Sequence, residues 1–229
     1  MDNPSLIHNT PSSSHAVRYF AYNDDPELAD ACITLLSQGL SADVLMAYFT
    51  RNDALVTEEV WSAQIHGAAK VNPSVRQFFC LKDCSAAAFV LEYPRDKPSL
   101  WTSLLRLIPT VPLGKWRALL EWLNSKDKQK CAFARAHGSF MYLMAISDAS
   151  KRQDGEACLA ILQAIATAAD AAQQMVYIEA RPNQRAWLTA HGGFADVMGY
   201  RVRDSKKAPQ INIMCRRPTP LPPPLPRRR

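Results

Sequence analysis

Several familiar signals are missing from this 229-residue chain, and each absence removes a class of protein. No run of about 18 or more apolar residues occurs, so nothing has the length of a membrane-spanning helix, and the chain reads as soluble. The first fifteen residues are rich in Ser, Thr, Pro and Asn and lack the basic start and apolar core of a secretory signal; they read as a disordered tail. Cysteine is present but without a redox or zinc-type pattern. Cys32, Cys80, Cys84, Cys131, Cys158 and Cys215 stand far apart except for the Cys80/Cys84 pair, with no C-x-x-C and no Cys/His cluster. They read as reduced, mostly buried thiols of a cytoplasmic protein without a metal. A basic body is also lacking. The formal charge is +6, but Arg216, Arg217, Arg227, Arg228 and Arg229 lie in a terminal stretch without acids, so the rest of the chain is near +1. A domain that neutral has no face for gripping nucleic acid, which makes a nucleic-acid partner unlikely on composition.

What is present is ordinary globular material, 48% hydrophobic and of a length that favours one domain. Residues 16–22 suggest a strand. Asp24-Asp25-Pro26 then opens a helix with proline in its first turn, and Leu28, Ala31, Cys32, Leu35 and Leu36 recur at helical spacing. A second helical region is expected over 43–69, followed by a hairpin of strands 77–81 and 86–93 around Lys82-Asp83-Cys84-Ser85 and closed by Pro94. Residues 98–131 read as an apolar helical excursion containing Trp101, interrupted by Pro109 and Pro112 and resuming over 116–123. Such an excursion either shapes a partly apolar pocket or merely covers one end of a sheet.

The most informative stretch follows. Residues 140–146 are almost wholly apolar, as a strand buried on both faces requires. A polar turn, Lys151-Arg152-Gln153-Asp154-Gly155-Glu156-Ala157, leads into a helix with Cys158, Leu159, Leu162, Ile165, Ala166 and Ala169 along one stripe. Backbone N–H groups at a helix start have no intrahelical partner and lie at the positive end of the macrodipole, so this turn is a candidate phosphate cradle. Strand 175–178, a short helix 183–191 stopped by Gly192-Gly193, and strands 195–202 and 210–215 complete an α/β domain with a mixed sheet.

Three local patterns resemble the GNAT superfamily of acyl-coenzyme A-dependent acetyltransferases. Arg152, Gly155 and Ala157 occupy the specified positions of its Q/R-x-x-G-x-G/A turn. Tyr177-Ile178-Glu179-Ala180 with Asn183-x-x-Ala186 is similar to its fifth strand and exit, followed by Gly193-Phe194, and Ile213-Met214-Cys215-Arg216 resembles its last strand. The resemblance implies a single GNAT-like domain over 16–216, with splayed parallel strands in a central mixed sheet flanked by helices. It implies acetyl-CoA as cosubstrate, without metal, and a small amine as acceptor. Coenzyme A would then lie between strands 140–147 and 175–180, against backbone at Met144, Ala145 and Ile146, with Arg152, Gln153, Asp154, Gly155, Glu156 and Ala157 at the pyrophosphate and Asn183 facing the pantetheine arm. Gly155 removes a side chain where backbone must approach phosphate, and Ala157 keeps the first turn small.

Transfer needs an amine freed of its proton and a means of protonating the leaving thiolate. Glu179, ending the strand beside the implied acyl site, is the first candidate base or water-linked proton acceptor. His137, before the central strand, has a pKa suited to proton work, and Glu92 and Tyr142 are lesser candidates. Thr189 stands where many relatives carry a general-acid tyrosine; its hydroxyl is a weak acid, which brings water or nearby His191 into consideration. Gln153 replaces a usual glycine, while Asp154 and Glu156 bring acids toward the phosphates. A non-catalytic binding protein on the same fold, or an unrelated α/β protein whose turn binds another phosphate ligand, is the alternative. The tail, 217–229, favours polyproline II, and Pro223, Pro226 and Arg228 fit a P-x-x-P-x-R arrangement of the kind SH3 domains bind.

Overall fold

A computed structural model describes residues 16–96, 111–151, 155–201 and 209–220. The expected tails at 1–15 and 221–229, the excursion residues 98–110 with Trp101, and the turn residues Arg152, Gln153 and Asp154 lie outside the described residues. Among the described residues seven strands form one sheet in the order β1-β2-β3-β4-β5-β7-β6. They are β1 (Val17–Ala21), β2 (Arg76–Leu81), β3 (Ala86–Tyr93), β4 (Phe140–Asp148), β5 (Met175–Ala180), β6 (Ala195–Arg201) and β7 (Gln210–Arg216). Only β4 and β5 pair in parallel; every other neighbouring pair is antiparallel. This is the mixed α/β sheet expected from the residue pattern.

Period-two alternation splits the sheet between two cores. Phe78, Phe89, Phe140, Tyr142 and Tyr177 face one side, where α1 (Pro26–Gly39), α2 (Val44–Thr50), α3 (Ala54–Ala69) and α4 (Trp116–His137) pack. Phe79, Val90, Met141, Leu143, Val176 and Ile178 face the other, against α5 (Glu156–Ala172) and Leu188 of α6 (Pro182–Gly192). Asp25 caps α1 by accepting from the Leu28 N–H at 3.1 Å.

Two helical expectations change in detail. The region 43–69 is two helices rather than one, because Arg51 and Asn52 both take positive φ and Asp53 starts a new helix by accepting from the Leu55 and Val56 N–H groups. The helix read over 116–123 continues to His137. Its buried stripe, Leu119, Trp122, Lys126, Lys130 and Phe133, keeps helical spacing but passes through two lysines, which read as surface in a sequence and hide the continuation. Among the described residues no single helix is long and apolar enough to cross a membrane.

The cysteines are not as scattered as their spacing suggests. Cys32 on α1, Cys80 on β2 and Cys84 in the β2–β3 turn bring their sulfurs within 4.8 Å of one another.

Candidate functional site

The pairing of β4 with β5 stops short. It runs from Phe140↔Met175 to Leu143↔Ile178, although β4 continues to Asp148 and β5 to Ala180. The cause lies on the other edge of β4: Phe89 pairs with Ala145 and Val90 with Leu143, so Met144 is an extra, bulged residue. A bulge bends its strand and raises local twist, which turns β4 away from β5. It also resets the alternation, placing Ala145 on the α1–α4 face and Ile146 on the α5 face. Beyond Leu143 the two parallel strands therefore splay, and the β5-side backbone edge of β4 has no strand partner among the described residues.

A cleft opens at that splay, lined by Met144, Ala145 and Ile146 of β4, Ile178 and Glu179 of β5, and Arg181 and Gln184 beyond it. Leu40, Asp43 and Trp61 form its opposite wall. Asp43 is buried at the N-cap of α2, and the Arg181 Nε donates to its Oδ2 at 2.8 Å. This ion pair joins the α1–α2 connection to the exit of β5 and is shielded from solvent on both sides. Burial opposes the Arg181 charge, but Asp43 and Glu179 hold the guanidinium protonated above its ordinary pKa.

Glu179 is buried on the same sheet face as Tyr142 and Tyr177, which directs it toward α4. Its Oε2 lies 2.8 Å from the Lys126 Nζ and accepts a hydrogen bond from the Tyr142 hydroxyl at 3.1 Å. Its Oε1 is buried with no hydrogen-bond partner among the described residues. Burial alone raises the Glu179 pKa, yet Lys126, Lys130 and Arg181 together more than offset it and hold the carboxyl below its usual range. Burial and the Glu179 charge push the Tyr142 phenol well above its ordinary value. Lys126 and Lys130 also lie over the Tyr142 ring, at 5.6 and 4.4 Å from its centroid. The site thus contains a buried, ionised carboxylate with one occupied and one unsatisfied oxygen.

At the far end of β4, Gly155 is the N-cap of α5, whose first-turn N–H groups have no intrahelical partner. A Cβ added at Gly155 would lie 2.4 Å from the Asp148 Oδ2, so any larger residue there displaces that carboxylate. Asp148 itself accepts from the Ser150 N–H at 2.9 Å, and Ala149 donates to the Ser85 carbonyl at 2.8 Å, so the turn is anchored to the β2–β3 hairpin.

The sequence-derived candidates divide by location. Met144, Ala145, Ile146 and Glu179 meet at the cleft, and Tyr142 joins them through Glu179. Gly155, Glu156 and Ala157 form the α5 start. Asn183 lies exposed in the first turn of α6, whereas its neighbour Gln184 lines the cleft. Thr189 and His191 are exposed on α6. His137 is exposed at the end of α4, its ring tilted against that of Phe133 with centroids 4.5 Å apart, beside the opposite end of β4 from the splay. Glu92 pairs with Arg95 at 2.7 Å, also away from the cleft. Asp43, Arg181, Lys126 and Lys130 were not singled out in the sequence; the signal for the lysines was their place on the core stripe of α4.

The residues fit coenzyme A at two points. The unpaired edge of β4 offers peptide groups to a chain carrying amides, and the α5 N-terminus offers N–H groups to a phosphate. Asp148 opposes the second by placing a carboxylate against the same turn.

No family model matches the chain, and no curated protein matches it. Solved structures do. It is similar to a polyamine N-acetyltransferase of Drosophila melanogaster, with 14% identity over 88% of this chain and 99% of that one and a TM-score of 0.52. An agmatine N-acetyltransferase mutant aligns at 13% identity over 88% and 98%, with a TM-score of 0.54. Arylalkylamine N-acetyltransferase 2 from Aedes aegypti gives 13% over the same shares and 0.53. The fold is that of the GNAT acetyltransferases.

Proposed function

We propose that the chain is an acetyl-CoA-dependent N-acetyltransferase acting on a small amine, in a reducing, cytoplasmic compartment. The splay of β4 from β5 beyond Leu143 and Ile178 carries the reading, because it leaves a strand edge open beside a buried carboxylate and upstream of a helix start whose N-cap is a glycine. Backbone at Met144, Ala145 and Ile146 pairs with the pantetheine amides. The N–H groups from Glu156 onward receive the pyrophosphate, with Arg152, Gln153 and Asp154 completing the turn. When bound, acetyl-CoA supplies the acetyl group as an activated thioester.

Glu179 has a narrower part here than a general base. Three cations keep it ionised and lower its basicity, so it orients the acceptor by taking an amine N–H on Oε1 rather than storing a proton. The amine proton passes to solvent through the cleft. Lys126, Lys130 and Arg181 outnumber Glu179 and Asp43 around it, and Leu40, Trp61 and Ile178 supply apolar walls. That balance favours a single amine on an apolar or aromatic body over a polycation.

Coenzyme release against arylalkylamines and spermidine tests the reading, together with thermal shift in acetyl-CoA. Gly155→Glu is expected to raise KM for acetyl-CoA roughly tenfold or more through lost phosphate contacts. No transfer to any amine and no stabilisation at millimolar acetyl-CoA would overturn it. The Asp148 carboxylate favours a second reading, a non-catalytic protein on the same fold with its proline-rich tail as the interaction element. Asp148→Asn separates the two: the enzyme binds acetyl-CoA more tightly, and the non-catalytic protein remains without affinity.

A further inference from the structure

We propose that Cys32, Cys80 and Cys84 form a structural site for a thiophilic divalent cation, Zn2+ in its commonest form. The three sulfurs come from three separate elements, α1, β2 and the β2–β3 turn, yet lie within 4.8 Å of one another. A metal–sulfur bond of about 2.3 Å sets ligand sulfurs about 3.8 Å apart around a tetrahedral ion. Small side-chain adjustments close that difference, with no movement of the backbone elements.

Two of the thiols belong to the core and the third stands at its edge. Cys32 and Cys80 are fully buried among apolar residues, and Cys84 is half-buried against the same cluster, which leaves one open side for entry and for a fourth ligand from solvent. Cys84 holds a φ of 56°, a left-handed conformation in which turns ordinarily place Gly, Asn or Asp. A cysteine kept there turns its sulfur toward the other two at a conformational cost. Three thiolates with a divalent ion leave one net negative charge, against two with a monovalent ion, and burial favours the smaller residue of charge.

A bound ion would tie α1 to the hairpin and fix the turn that carries Ser85. The Ser85 carbonyl accepts from the Ala149 N–H at 2.8 Å, where β4 leaves the sheet toward the α5 start. The site is therefore a clamp behind the candidate phosphate turn. It rests on different residues from the acetyl-transfer reading and stands or falls separately.

The experiment is a Co2+ titration of the reduced, full-length protein, followed by Zn2+ competition and thermal denaturation with and without Zn2+. The expected result is one equivalent of Co2+ with a thiolate-to-cobalt charge-transfer band, its displacement by Zn2+, and a higher midpoint with Zn2+. Loss of an outer-sphere partner already costs about 10–100-fold in metal affinity, so Cys84→Ser, at the least buried ligand, should cost about 100-fold or more. Cys215→Ser, away from the cluster, should leave binding intact while circular dichroism confirms that both variants fold. Absence of the band in folded, reduced protein, or its persistence in Cys84→Ser, would overturn the proposal. So would a disulfide among the three thiols combined with no metal uptake after reduction.

Discussion

Replacing Lys126 by methionine keeps the stem of the side chain and removes its charge, leaving Glu179 buried without its nearest cation. The pair is 2.8 Å apart with side chains 11% and 6% exposed, so solvent does little to screen it. Breaking one partner of a buried pair costs about 3–5 kcal/mol. The Tyr142 hydroxyl and the remaining charges of Lys130 and Arg181 still support the carboxylate, which places the expected loss near the lower end, about 3 kcal/mol. For a chain of this size that corresponds to roughly 6–12 °C in Tm. The pH dependence identifies the cause. In the native sequence Glu179 has a lowered folded pKa, so its stabilisation is present above the unfolded value and fades as pH falls through the folded one. Without Lys126, burial, the largest influence, is opposed only by Lys130 and Arg181, and the folded pKa moves upward from its native position. The variant is then penalised little in acid and increasingly as pH rises toward that new pKa. Urea denaturation of both proteins from acid to neutral pH should show a gap that widens with pH, and Lys126→Met combined with Glu179→Gln should recover most of it. A gap under about 1 kcal/mol, the range of an exposed pair, or one independent of pH, would refute the buried-pair argument.

Two further variants probe the frame around the cleft. Gly39→Ala places a Cβ 1.8 Å from the Ser147 Oγ and 2.5 Å from its Cβ, and should destabilise by about 1–3 kcal/mol or more in chemical denaturation, with Ser147→Gly restoring part of the loss; an unchanged midpoint would contradict the close approach of α1 to β4. Asp170 accepts from Arg216 at 2.7 and 2.8 Å and from the Thr219 N–H at 2.8 Å, which depresses its folded pKa. Its contribution is present above the unfolded carboxylate pKa and lost as pH falls through the depressed value, so Asp170→Asn should lower Tm at neutral pH and flatten its acid dependence. Parallel acid limbs for the two proteins would show that this clamp of the last strand on α5 adds nothing.

Most of the fold was legible locally. The continuous apolar run of 140–146 and the 3.6-residue stripe of α5 are short-range consequences of burial, and capping chemistry at Asp25-Pro26 and Gly193 marks element ends through the adjoining backbone alone. Glu179 and the backbone at Met144–Ile146 were singled out through the resemblance to the GNAT superfamily, and the structure brings them to one cleft. The misreadings have a common physical source. Lys126 and Lys130 look like solvent residues because a charge is costly to bury, and only a carboxylate from a distant strand makes burial possible. Cys32, Cys80 and Cys84 look unrelated because sequence spacing carries no information about where α1 crosses β2.

The sequence by itself determined the order of elements, the polar segment before α5 and the strand that bears Glu179, since these depend on residues within a few positions of one another. Tertiary structure alone decided the ionic state of Glu179, the Asp43–Arg181 pair, the approach of Asp148 to Gly155 and the meeting of three thiols. Each of these is an interaction between groups far apart in the chain, whose strength depends on distance and burial that only the packed sheet and its helices define.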